Sequence, residues 1–253
     1  MFKKNKTILV TGGAGRVGAA VAVNLIKKGY NVLLGDIDKS RLLKIKKKLN
    51  SKRLEIYQSD LSKKKNIESF INFGLKKFKR IHGAVHCSYP RSKKWGTKFE
   101  NLEEAYLNKD LQNQLGGSII FSQKIIKEFI KKKEGNLIFI SSIQGVQSPK
   151  FEHYENLSMI SPIEYSAIKS GIISITKYLS KYFRGKNIRV NCVSPGGIED
   201  NQPKLFKKRY KKSCNSKGLL HEEDIAKLIV FLLSDKSKYI NGQNLIIDDG
   251  WTL

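Results

Sequence analysis

Short apolar runs separated by longer amphipathic stretches recur along the chain. This is the pattern of strands alternating with helices in a parallel sheet covered on both faces. The runs predict strands at Thr7–Val10, Asn31–Asp36, Leu54–Gln58, Gly83–Cys87, Asn136–Ser141, Ile188–Val193 and Asn244–Ile247. Between them the apolar period is helical. A first helix from about Gly15 to Lys28 carries Val17, Ala20, Val21, Leu25 and Ile26 as its apolar positions and stops at Gly29. Further helices are expected from Phe99 to Lys132, from Ile163 to Phe183, and from near Glu222, where Glu222, Glu223 and Asp224 suit the positive end of the helix dipole. No repeat and no Pro- or Ser-rich linker divides the chain. The expectation is an α/β protein with one domain over residues 1–253, a doubly wound parallel sheet of about seven strands. The least regular segments are 88–98, 144–162 and 196–220. Each follows the carboxyl end of a predicted strand, where open α/β sheets bind ligands.

The turn after the first strand reads Thr11-Gly12-Gly13-Ala14-Gly15-Arg16-Val17-Gly18. Glycines spaced Gly13-x-Gly15-x-x-Gly18 between a strand and a helix let the backbone approach a pyrophosphate, and the helix N-terminus offers it free N–H groups. Asp36 ends the second strand and can accept hydrogen bonds from the adenosine ribose hydroxyls. Its negative charge repels a 2′-phosphate and favours NAD over NADP, although Arg16, Lys39 and Arg41 lie close by in sequence. Asp60 and Leu61, after the third strand, are placed to touch the adenine; Asp60 can equally cap the helix that follows.

Tyr165 and Lys169 are four residues apart on a predicted helix and share a face. A free phenol has a pKa of about 10, and a neighbouring ammonium favours its ionised form, so the pair can work as an acid–base group. With the glycine turn, Ser141-Ser142-Ile143-Gln144-Gly145, the segment from Ile188 to Gly196 and Asn241-Gly242-Gln243 in order, the chain resembles the short-chain dehydrogenase/reductase family. The resemblance runs along nearly the whole length. It implies a Rossmann-type domain that uses NAD(P) to interconvert an alcohol and a carbonyl. It implies that Tyr165 exchanges the substrate proton, Ser142 holds the substrate oxygen and Lys169 also binds the nicotinamide ribose. His86, at a strand end, passes the cofactor ribose, and Pro195-Gly196 passes the carboxamide.

Four departures from the family pattern stand out. Arg16 replaces a small residue, in a glycine spacing closer to nucleotide-sugar epimerases. The usual Asn-Asn-Ala-Gly after the fourth strand is His86-Cys87-Ser88-Tyr89. The relay Asn aligns with Gln114, so either Gln114 or Asn113 takes that catalytic place. The stretch from Ser142 to Tyr165 is lengthened by residues 151–162. That insertion, with Tyr89-Pro90-Arg91-Ser92-Lys93-Lys94-Trp95-Gly96, resembles a subgroup from flagellin-modification and legionaminic-acid-type pathways, and so implies a sugar or sugar-phosphate substrate. Arg91, Lys93 and Lys94 are candidates for holding a phosphate, or are solvated loop charges, and His153 is a candidate substrate contact. The resemblance also implies a homodimer or homotetramer, with the helices around 99–132 and 163–183 at its interface. The alternatives are an NAD-dependent nucleotide-sugar epimerase or dehydratase, and a non-catalytic NAD- or nucleic-acid-binding protein.

Composition changes this picture little. The net charge of +26 comes from 48 Lys and Arg against 22 Asp and Glu. The excess is mostly Lys spread over expected helix faces, which reads as a solvated surface rather than a nucleic-acid footprint. It still attracts anionic ligands. Three isolated cysteines, Cys87, Cys192 and Cys214, form no ligand pattern, so no metal site is expected, and their odd number points to a reducing compartment. The basic start leads into an apolar run too short for a signal segment or membrane span, giving a cytoplasmic expectation.

Overall fold

The computed structural model describes residues 5–253; the basic start of the chain lies outside them. Strands β1 (Thr7–Thr11), β2 (Asn31–Asp36), β3 (Leu54–Gln58), β4 (Gly83–His86), β5 (Gly135–Ile140), β6 (Ile188–Pro195) and β7 (Asn244–Ile247) form one parallel sheet in the order β3-β2-β1-β4-β5-β6-β7. This is the doubly wound α/β architecture expected from the strand–helix alternation. Val10 of β1 faces Leu34 of β2 on one side and Val85 of β4 on the other. The chain builds outward through β2 and β3, then returns to β4 and builds the other way. The carboxyl ends of β1 and β4 are therefore the place where the connections part and a crevice opens.

Helices α1 (Arg16–Lys27) and α8 (Glu222–Leu233) cover one face, burying Val21 and Leu25 with Ile225 and Ile229 against Val10 and Leu34. The other face is covered by α3 (Lys64–Phe78), α5 (Gly117–Lys132) and α6 (Ile163–Tyr182), whose Phe70, Phe121, Phe129 and Ile168 pack on Leu9, Leu33 and Phe139. Helix α2 (Lys39–Leu49) buries only Leu42 and presents its lysines outward. A third, smaller core sits over the carboxyl edge of the sheet. There Ile143, Phe206, Tyr210, Leu219 and Trp251 pack with Tyr154, Leu157 and Met159 of the insertion.

The expected helix from Phe99 to Lys132 is not continuous. It comprises a 3-10 turn at Phe99–Asn101, α4 (Glu104–Asp110), a π-helical turn at Leu111–Gly116, and then α5. The adjacent Gly116 and Gly117 lower the cost of the wider turn, and such turns gather at functional sites. Within the segment expected to be irregular, Lys204–Lys212 is a helix, α7. Its signal is only Phe206 and Tyr210, one turn apart in a run of lysines. Strand β6 continues to Pro195 because β7 pairs with it that far.

The third core makes a direct prediction. Trp251 is fully buried in it and closes the layer between the insertion and α7. Trp251→Ala should lower stability by roughly 3–5 kcal/mol, seen as a lower urea midpoint with an unchanged slope.

Candidate active site

Two clefts meet above the glycine turn, and Gly12, Gly15, Cys87, Ser88 and Tyr89 line both. One, of about 970 Å³, runs out past Asp36, Asp60 and Leu61. The other, of about 590 Å³, runs to Ser142, Tyr165, Lys169, Pro195 and Gly196. The backbone at Gly12 has φ +62°, and a Cβ there would stand 2.5 Å from the Cys87 carbonyl oxygen. Only glycine lets the turn lie this close to β4. Gly13 is turned inward against Leu34. Helix α1 begins at Gly15 with no side-chain cap and no acidic residue in its first turn. The N–H groups of Arg16, Val17 and Gly18 are thus left for water or an anion at the positive end of the helix. A long groove with a carboxylate at one end, an uncapped helix N-terminus midway and a Tyr–Lys pair at the other fits an extended dinucleotide.

Asp36 accepts hydrogen bonds from the Ala14 N–H at 2.9 Å and the Asp38 N–H at 3.0 Å, so it fixes the glycine turn as well as lining the cleft. Asp60 accepts from the N–H and hydroxyl of Ser62, the local turn role, while also reaching the cleft wall. Arg16 lines the groove with its guanidinium held by Glu222 at 2.8 Å and Asp200 at 3.4 Å. The large residue in the glycine turn thereby joins α1 to the start of α8 and to the loop after β6. Arg41 pairs with Asp38, its neighbour at the same end.

At the other end, β5 delivers Ser142 and α6 delivers Tyr165 and Lys169. The two elements are tied by the Ser141 hydroxyl, which donates to the Lys169 carbonyl at 2.7 Å. Gly145 lies so close to that turn of α6 that a Cβ would come within 2.6 Å of the Lys169 carbonyl carbon. The Ser142 hydroxyl stands near enough to Tyr165 to favour its ionised form, and Lys169 donates to the Ile140 carbonyl at 3.0 Å. Burial pushes the Lys169 amine down to about 8. Burial also raises the Tyr165 phenol, with Ser142 opposing it. In the free protein burial is the largest influence on the phenol. The ammonium faces the Tyr165 ring, 5.4 Å from its centroid, while its hydrogen bond goes to a backbone carbonyl.

Other expected residues sit elsewhere. Gln114 is buried and donates to the Pro90 carbonyl at 2.8 Å, so its amide holds a loop. Asn113 lines the cofactor-side cleft. The His86 ring is buried against Phe121 and bonds the Thr11 hydroxyl at 2.8 Å; its neighbour Cys87 is the one at the cleft wall. His153 bonds the Ser213 hydroxyl inside the third core rather than facing the cleft. Lys94 pairs with Glu103, and of the three loop cations only Arg91 lines the clefts. Tyr89, Tyr154, Met159, Tyr210 and Trp251 form cleft wall that the motifs do not reveal. Their one signal in the sequence is aromatic residues inside segments that follow strand ends.

A family model described as enoyl-(acyl carrier protein) reductase matches residues 13–252. The chain is a short-chain dehydrogenase/reductase. It is thus an NAD(P)-dependent oxidoreductase acting on CH–OH groups. It is 42% identical to a post-translational flagellin modification protein A of Campylobacter coli, over 99% of both chains. It is 26% identical to a 7α-hydroxysteroid dehydrogenase of Bacteroides fragilis, over 99% of this chain and 95% of the relative. A short-chain dehydrogenase from Leptospira borgpetersenii, solved with bound NAD+, superposes with a TM-score of 0.87 at 29% identity, covering 100% of this chain and 94% of that one. Among the described residues no helix is long and apolar enough to cross a membrane.

The His86 environment sets an acid sensitivity. Burial pushes its pKa down to about 3, so the folded protein holds the ring neutral where the unfolded chain, near 6.5, takes up a proton. Stability from this site is complete above pH 6.5 and falls as the pH drops from there toward 3. His86→Asn should make stability against pH shallower in that window, by up to about 1.4 kcal/mol per pH unit, as read from urea titrations at several pH values.

Proposed function

We propose that this enzyme interconverts an alcohol and a carbonyl on a sugar or sugar phosphate, using NAD, in the metabolism of bacterial surface or flagellar glycans. The carrying observation is the convergence of Ser142, Tyr165 and Lys169 at one end of a groove whose other end is Asp36. The likeness to a flagellin modification protein along the full chain supports the glycan setting. Arg91, at the junction of the two clefts, supports an anionic group on the substrate. The assignment to the cytoplasm and to a homodimer or homotetramer belongs to the same reading.

In this mechanism Ser142 donates a hydrogen bond to the substrate oxygen, and Tyr165 gives that oxygen a proton in reduction or removes one in oxidation. The raised phenol is protonated in the free protein, ready to act as the acid. Lys169 holds its positive charge beside the Tyr165 ring and would hold the nicotinamide ribose of a bound cofactor. The bound cofactor supplies the hydride chemistry. Asp36 turns away a 2′-phosphate by charge and accepts from the ribose hydroxyls, which is why NAD is assigned.

A screen of sugar phosphates and nucleotide-sugars with NAD and NADP, followed by absorbance of the reduced cofactor, tests this reading. Net accumulation of NADH with a sugar phosphate is expected; turnover without net NADH points to an epimerase. Tyr165→Phe should lower kcat by about 10²- to 10⁴-fold while NADH still binds. Full activity in that variant sinks the mechanism. Asp36→Ala should narrow the preference for NAD over NADP by roughly tenfold, the equivalent of about 1.4 kcal/mol, in ratios of kcat/KM. An unchanged ratio removes Asp36 from cofactor selection.

A further inference from the structure

Two of the departures from the family pattern meet at one place. Where the usual segment after the fourth strand ends in glycine, this chain has Tyr89, and where the relay Asn is usual it has Gln114. The Lys169 ammonium lies 5.2 Å from the Tyr89 ring centroid and 5.4 Å from that of Tyr165. The two tyrosine rings meet edge-on, and Trp95 packs edge-on against both. Side chains from three separate elements hold the loop that carries Tyr89. Gln114 donates to the Pro90 carbonyl, Asp110 accepts from the N–H and hydroxyl of Ser92 at 2.7 and 2.6 Å, and the buried Glu164 carboxyl lies beside the Gly96 backbone. All three anchors are buried. The loop is a fixed roof over the amine.

We propose that Tyr89 is a positioning residue for Lys169, its ring holding the ammonium toward the cofactor groove. The inference rests on the reading of Lys169 as a cofactor-holding group. An aromatic face stabilises a cation electrostatically, and more so away from water. Lys169 is buried, so the ring keeps charged an amine that desolvation would otherwise neutralise. The groups facing it are Tyr165 on its own helix, His86 at the end of β4, and Cys87 and Tyr89 beyond it; Arg91 lies over the same Tyr89 ring at 5.6 Å. Cys87 is pushed up to about 12 and His86 down to about 3, so neither changes charge near pH 8.

The test is NADH affinity by fluorescence titration between pH 6 and 10, with thermal midpoints measured on every variant. In the intact enzyme, affinity should weaken as the pH rises through about 8, where Lys169 loses its charge. Tyr89→Leu should move that alkaline limb down by about half to one pH unit, the worth of one cation–π contact, and so weaken binding at pH 7.5 by roughly 1.5- to threefold. Tyr89→Phe keeps the ring and should match the parent. Ser92→Ala, which loosens the roof without touching the lysine, should shift the limb in the same direction by less. The inference is overturned if Tyr89→Leu keeps the parental limb, or if Tyr89→Phe shifts it as far as leucine does. A failure of the intact enzyme to bind NADH would bring down the cofactor reading instead.

Discussion

The structure depends on β1 being flanked in parallel register by β2 on one side and β4 on the other. That pairing forces the connections to leave in opposite directions, and a crevice opens between them at the sheet's carboxyl edge. The glycine turn runs through that space pressed against β4 and Leu34, which its missing side chains allow. Asp36, at the end of β2, braces the turn from below by taking the Ala14 N–H. The nucleotide end of the groove is therefore a consequence of sheet order, built from backbone and one carboxylate.

The reacting end is held differently. Its residues come from β5 and α6, which are brought together by the Ser141 bond to the Lys169 carbonyl and by the missing side chain at Gly145. Around that join aromatic rings stand beside polar partners such as Ser141, Ser142 and the Ile140 carbonyl. Burial there lowers the basicity of the Lys169 amine and raises the Tyr165 phenol, so both shifts have the same cause, the loss of water around the charged form.

The sheet was legible in the sequence because its strands are apolar runs bounded by glycines and charges; three of the seven keep their expected bounds. Helices α2 and α7 are harder to read because lysines crowd their exposed faces and leave few buried apolar positions to mark a stripe. The glycine turn and the Tyr165–Lys169 pair are legible because their chemistry depends on local spacing. Tyr89 is not, since its place is set by Asp110, Gln114 and Glu164, which lie 18 or more residues away along the chain. The same applies to Gln114, whose alignment with a relay residue gives no sign that its amide nitrogen also secures the Pro90 carbonyl. His153 looks like a substrate contact in a loop but belongs to a core assembled from α7 and residue 251.

That small core gives the protein an order of construction. The glycine turn, β1 and β4 lie within the first 86 residues. The wall of the other cleft needs residues 143, 154, 206, 210 and 251 together, and Trp251 is the last of them to leave the ribosome. Until then that wall is incomplete.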